Sequence, residues 1–240
     1  MESISKLELE VKQGANSLSL LDNLTISRHK YLTLYCSKCG YSYEVMLRCG
    51  DRTCPDCRYK DYYRLLRAYL PLVQQKNNLR FLTFTLMRYP DPLSRERILF
   101  LRKCWIKLTH LKKYQKSIKG GLYSIEAKNK GKGWNIHIHI LVEGFYLNQK
   151  ELSEDWLHLT GDSYIVFIEK CWSSGGALKY LLKYLSKSPE VFGYYEEYNL
   201  AFAGLRLVSS FGTWYKAIIK QKEPFKCPNC DCVDWLSEYD

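Results

Sequence analysis

Alternation of apolar and polar residues, the period of a strand with one buried face, marks residues 81–87, 122–128, 134–142 and 164–168. Shorter strands are predicted at 31–35 and 41–47. Elsewhere the spacing becomes helical. Leu65, Leu66, Tyr69, Leu72 and Val73 fall on one side of a predicted helix over 58–75, which Pro71 should bend or end. Residues 93–116 read as one long basic helix, 149–159 as a shorter one, and 173–187 as a helix that stops before Pro189. The Gly/Lys/Asn-rich stretch from Asn129 to Gly133 has the composition of a hairpin turn. From residue 81 to 168 the order is therefore β-α-β-β-α-β, the split-βαβ pattern of a ferredoxin-like antiparallel sheet, and the predicted class is α+β. Residues 1–30 and 190–225 carry no clear pattern.

Composition adds a partner class. With 46% hydrophobic residues the 240-residue chain is globular in type, and 36 Lys+Arg against 25 Asp+Glu leave a net charge of +11. Such a balance favours a polyanion, because neutralising phosphates releases counterions. No apolar run approaches the roughly 18–20 residues that span a bilayer, and residues 1–14 are charged without an apolar core. The expected location is the cytoplasm. Ten cysteines there argue for metal sites before disulfides. Twenty tyrosines and six tryptophans supply stacking surfaces, most of them packing residues.

The strand Trp134-Asn-Ile-His137-Ile-His139-Ile-Leu-Val places two imidazoles side by side, with Ile136, Ile138 and Ile140 on the opposite face. A lone His-x-His is more often a pair of ordinary surface or core histidines. Here Glu126 lies across the turn, and a hairpin pairing 126 with 137 would bring its carboxylate to the same face. Two imidazoles and a carboxylate suit Mn²⁺ or Mg²⁺ and do not exclude Zn²⁺. As a solvated strand residue, Glu126 would have no such role.

In the helix Gly176-Ala-Leu-Lys-Tyr180-Leu-Leu-Lys-Tyr184-Leu-Ser-Lys187, the two tyrosines and Lys187 share one face, while Leu178, Leu181, Leu182 and Leu185 form a buried stripe. Alone, this is an amphipathic helix with packing tyrosines. Beside a metal strand, a phenol becomes a candidate nucleophile for a phosphodiester. His137-Ile-His139 followed by Tyr180-x-x-x-Tyr184-x-x-Lys187 resembles the metal and two-tyrosine motifs of HUH endonucleases, above all rolling-circle replication initiators (Rep proteins), with transposases as near kin. Phe81-Leu-Thr-Phe-Thr-Leu resembles the family's first motif, and Ala203-Gly-Leu-Arg206 with Ser210-Phe-Gly212 a downstream one. The resemblance implies a single-stranded DNA endonuclease and strand transferase acting on an origin hairpin, with host replication machinery as a further partner. It implies His137, His139 and Glu126 as ligands of the catalytic ion, Tyr184 as first nucleophile, Tyr180 as second, and Lys187 as a charge-neutralising or orienting group.

Cys36-x-x-Cys39 and Cys54-x-x-Cys57 have the spacing of a structural Zn²⁺ module, with Cys49 as a competing ligand. Cys227, Cys230 and Cys232 form a half-site. It would be completed by Cys49, by a pair beyond the sequence, or by a second chain. Cys104 and Cys171 read as buried apolar residues. The expected organisation is an N-terminal zinc segment over 1–78, a nuclease core over 79–215 and a cysteine-bearing tail over 216–240.

Overall fold

A computed structural model describes residues 29–90, 92–171, 173–186, 189–217 and 224–237, without the side chains of 184 and 186. The chain is a mixed α+β protein with two antiparallel sheets, divided into a unit of residues 1–49 with 224–240 and a larger unit of residues 50–223.

Strands β1 (Tyr31–Cys36) and β2 (Ser42–Met46) belong to the smaller unit. Helix α1 (Pro55–Gln74) opens with proline at its first position, where the missing N–H costs nothing. Strand β3 (Leu79–Thr85), helix α2 (Arg95–Thr109), the single turn α3 (Lys112–Gln115), the hairpin β4 (Ile118–Asn129) and β5 (Trp134–Gly144), helix α4 (Gln149–Thr160) and strand β6 (Val166–Lys170) then follow. This is the predicted β-α-β-β-α-β order. Helix α5 (Ser174–Ser186), helix α6 (Tyr195–Phe202) and strand β7 (Val208–Gly212) complete the larger unit, and β8 (Trp235–Ser237) returns to the smaller one. The larger sheet runs β6-β3-β5-β4-β7 and the smaller β2-β1-β8.

Side-chain alternation gives the larger sheet two different faces. Leu82 and Phe84 with Ile136, Ile138 and Ile140 are buried under Ile98, Leu101, Trp105 and Leu108 of α2 and Leu152 and Trp156 of α4. The other face buries Phe81, Leu122 and Leu141 under Tyr62, Leu66 and Val73 of α1 and the leucines of α5. Each such side chain contributes roughly 1.5–3 kcal/mol by leaving water. The ends of α2 and α4 are fixed locally. Ser94 accepts from the Arg97 N–H at 3.1 Å, Asn148 accepts from the N–H of Lys150 at 2.9 Å, and Gly161 closes α4 at φ 86°.

Four expectations change. The long helix over 93–116 breaks after Thr109, and the turn that follows buries Tyr114, whose hydroxyl donates to Asp155. Pro71 neither ends α1 nor stops its packing, because Val73 beyond it is fully buried against the α5 side. The unpatterned stretch 190–225 contains α6 and β7. Helix α1 belongs with the larger unit and not with the N-terminal segment, since its apolar side is core to that unit. Among the described residues no helix is long and apolar enough to cross a membrane.

Candidate active site and metal centre

Strand register assembles the first site. Thr85 pairs with His137 and His137 with Glu126; Thr83 pairs with His139 and His139 with Ser124. All six residues therefore share the face that carries Phe81, Leu122 and Leu141 further along. Thr85 Oγ1 lies 2.9 Å from His137 Nδ1 and Thr83 Oγ1 lies 3.1 Å from His139 Nδ1. A threonine hydroxyl both donates and accepts, so either imidazole tautomer is held in the same orientation. The Nε2 atoms are thereby directed away from β3, and that of His139 meets Glu126 Oε2 at 3.1 Å. That is a hydrogen bond between the two side chains, while the His137 ring stacks on that of His139 at 5.9 Å between centroids.

Protonation suits the same reading. Burial, reinforced by the neighbouring His139, lowers the His137 pKa from 6.5 to about 4. Burial alone would raise Glu126, but its bond to His139 and the Lys128 ammonium hold the carboxyl below its ordinary range. A neutral imidazole and an ionised carboxylate are the forms that ligate metal. Lys128 Nζ contacts Glu126 Oε1 at 3.1 Å. Two residues after Glu126 on one strand, Lys128 is a neighbour on the same face by alternation alone.

Helix α5 brings Tyr180 to this face. Its ring meets Phe81 edge-on at 4.7 Å between centroids, and Phe81 in turn stacks on His139 at 5.9 Å. Tyr180 is 41% exposed, and Lys183 Nζ sits 3.5 Å from its ring centroid. Leu178, Leu181, Leu182 and Leu185 are buried and hold α5 to the sheet. Tyr184 falls in the next turn of α5, but its side chain, like the whole of Lys187, lies outside the described residues.

The second site is a cysteine cluster in the smaller unit, and its membership corrects the expected set. Cys36 and Cys39 are joined by Cys227 and Cys230, with all four Sγ atoms within 4.8 Å of one another, and not by Cys54 and Cys57. The cause is the β1–β8 pairing, which sets Cys36 opposite Trp235 and brings the second Cys-x-x-Cys alongside the first. Both pairs make the same tight turn. The Gly40 N–H donates to the Cys36 carbonyl at 2.9 Å with φ 71° at Gly40, and the Asp231 N–H donates to the Cys227 carbonyl at 2.9 Å with φ 55° at Asp231. Cys36–Cys230 and Cys39–Cys227 sulfur distances are both 3.5 Å. Tetrahedral zinc with Zn–S near 2.3 Å sets its sulfurs about 3.8 Å apart, so the cluster could hold a structural metal such as zinc. Desolvation opposes ionisation at Cys227, but backbone N–H groups led by that of Asn229 lower its thiol to about 7, while Cys230 is pushed up to about 12. A metal ion would bind the sulfurs as thiolates and release their protons.

Cys232 is not among the four; its Sγ lies 3.5 Å from Ser37 Oγ. Nor is Cys49. Cys54 and Cys57 stand in the larger unit's numbering at the head of α1, both buried. Cys104 is buried as expected, with Cys171 partly so. Comparison of the chain with family models, with curated protein sequences and with solved structures finds no match.

Proposed function

We propose that the chain is an HUH-type endonuclease and strand transferase that cuts single-stranded DNA with a tyrosine, as in the initiation of rolling-circle replication of a plasmid or virus. The observation that carries this reading is the convergence on one sheet face of His137, His139 and Glu126, backed by Thr83 and Thr85 and faced by the tyrosine helix. The strand order β6-β3-β5-β4 with its helical crossovers supports it, being the ferredoxin-like arrangement of such a nuclease core. A net charge of +11 suits the substrate.

His137, His139 and Glu126 would hold Mn²⁺ or Mg²⁺, which when bound supplies electrophilic stabilisation of a phosphate. The protein's own groups do the rest. Thr83 and Thr85 orient the imidazoles, and Phe81 sets the distance between His139 and Tyr180. A tyrosine phenol attacks phosphorus, the P–O3′ bond breaks, and the departing 3′ oxygen takes up a proton. The products are a 5′-phosphotyrosyl ester and a free 3′-OH, and the ester conserves the energy of the broken bond for rejoining. Tyr184 is the preferred first nucleophile and Tyr180 the second, able to resolve the product.

Incubation with labelled hairpin DNA and Mn²⁺ tests this: a denaturation-resistant adduct is expected from the wild type. Its persistence in Tyr180→Phe/Tyr184→Phe would refute the nucleophiles. Its absence on every hairpin tried would favour a second reading, a non-catalytic zinc-dependent nucleic-acid-binding protein, which the paired cysteine turns support.

A further inference from the structure

A cavity of about 200 Å³ opens in the larger unit between strand β6 and the first turns of α5. Its lining includes Phe81 of β3, Glu169 of β6, Cys171, and Gly176, Ala177 and Tyr180 of α5. Register sets Glu169 opposite Phe81, and Phe167 and His139 on either side of Thr83. Residues paired across antiparallel strands point the same way, so Glu169 and Phe167 share the face of the histidines. Phe81 joins the cavity to that site, since its ring stacks on His139 and meets Tyr180 edge-on. Position 176 adds no side chain, and a Cβ there would meet only the Ser173 side chain, at 3.5 Å.

Most of this lining is uncharged. Burial, with help from the neighbouring Glu169 carboxylate, pushes the Cys171 thiol up to about 11, so it stays protonated at neutral pH. Lys170 also borders the cavity but pairs with Arg80, which puts it on the alternate face. Glu169 is exposed, and among the described residues no hydrogen bond or ion pair engages it. An exposed glutamate is ordinarily just solvated. This one faces a site proposed to hold phosphates, in a chain of net charge +11. There a carboxylate opposes the DNA backbone, but it accepts from an amine on a base edge. Aromatic rings hold bases by stacking, and Phe167, 56% exposed, offers such a surface two residues before Glu169. The volume is below the roughly 300–1,000 Å³ of pockets for whole small molecules, and suits one planar base with its sugar outside.

We propose that this cavity receives one unstacked nucleobase of a bound single strand, next to the cut, and that Glu169 selects a base with an exocyclic amine (cytosine, adenine or guanine) over thymine. The proposal rests on the function proposed above and names which part of the substrate this face reads. The cytosine N4 and adenine N6 amines are donors that a carboxylate accepts, whereas the matching edge of thymine carries an oxygen and would meet it acceptor to acceptor. Glutamine in its place offers a donor as well as an acceptor, so it suits either kind of base.

The test is binding of fluorescein-labelled single strands of equal length, one all deoxycytidine and one all thymidine, to the full-length protein without added Mn²⁺. Wild type is expected to hold the cytosine strand roughly tenfold more tightly, and Glu169→Gln to bring that ratio close to one. Because the ratio is compared between proteins, differences in stiffness between the strands cancel. Equal binding of both strands by wild type would overturn the proposal. So would a ratio unchanged in Glu169→Gln, including a uniform gain on both strands, which would mean only that repulsion of the backbone had been relieved. Gly176→Leu, which fills the cavity and leaves the carboxylate in place, should also lose the ratio; its survival there would put the base elsewhere and overturn the cavity. Should Gly176→Leu fail to fold by circular dichroism, Glu169→Gln decides alone. Failure is separable from that of the nuclease reading. A Glu169-dependent base preference without any adduct removes the nuclease and keeps the pocket. An adduct formed alike by wild type and Glu169→Gln, whatever base stands near the cut of a hairpin, removes the pocket and keeps the nuclease.

Discussion

Replacing His137 by Gln should remove a pH dependence of stability that the wild-type larger unit carries. His137 is partly buried against Thr85 and His139, and its pKa falls from 6.5 unfolded to about 4 folded, chiefly through burial. At about 1.4 kcal/mol per pH unit the full difference is roughly 3 kcal/mol, and residual solvent access places it nearer 2–3. The folded pKa is depressed, so the contribution is fully present above pH 6.5, where both states are neutral. As pH falls below 6.5 the unfolded chain takes up a proton that the folded chain refuses until about 4, and stability is lost across that window. Urea unfolding of the chelator-treated protein can be followed through Trp105, Trp134, Trp156 and Trp214, all buried in the larger unit. Between about pH 7 and about pH 5.5 the wild type should lose about 1 kcal/mol more than His137→Gln. Glutamine can still bond Thr85 but does not titrate, and other groups cancel in the difference. A difference curve flat across that range would refute the buried, neutral imidazole and, with it, the claim that the strand is ready for metal at neutral pH.

Two further outcomes follow from packing and ligation. Cys227→Ser should lower the zinc taken up by the protein by about one equivalent, read with a chromogenic chelator, whereas Cys54→Ser should leave uptake by the four-cysteine cluster unchanged; the reverse would reinstate the pairing first expected from the sequence. Phe81→Ala should destabilise the larger unit by about 3–5 kcal/mol in urea unfolding, as for a buried aromatic, and lower adduct yield because Tyr180 loses its support; a loss under 1 kcal/mol would show that the face repacks.

The hairpin of β4 and β5 was legible because alternation and a turn of Asn129 to Gly133 fix register locally, and the register found sets Glu126 opposite His137. The leucine stripe of α5 was legible for the same reason, each member lying within two turns of the next. What the sequence could not supply was partner choice at a distance. Spacing along the chain paired Cys36 and Cys39 with Cys54 and Cys57, the nearer Cys-x-x-Cys, whereas the observed pairing with Cys227 and Cys230 rests on a three-residue strand, β8, too short to have a pattern. Arg58 only opened the predicted helix over 58–75; the cavity it lines beside Glu126 exists only once α1, β4, α5 and α6 meet. The break after Thr109 has no proline or glycine to announce it and follows from burying Tyr114.

The cysteine cluster also imposes an order of events on synthesis. Cys36 and Cys230 are 194 residues apart. At roughly 5–20 residues per second a ribosome needs about 10–40 s to deliver the second pair after the first. During that interval the strands of the larger sheet, from Leu79 to Gly212, are all made, while Cys36 and Cys39 wait for their partners. A metal such as zinc, if held by the four cysteines, would therefore close the smaller unit only after the chain of the larger one has been made.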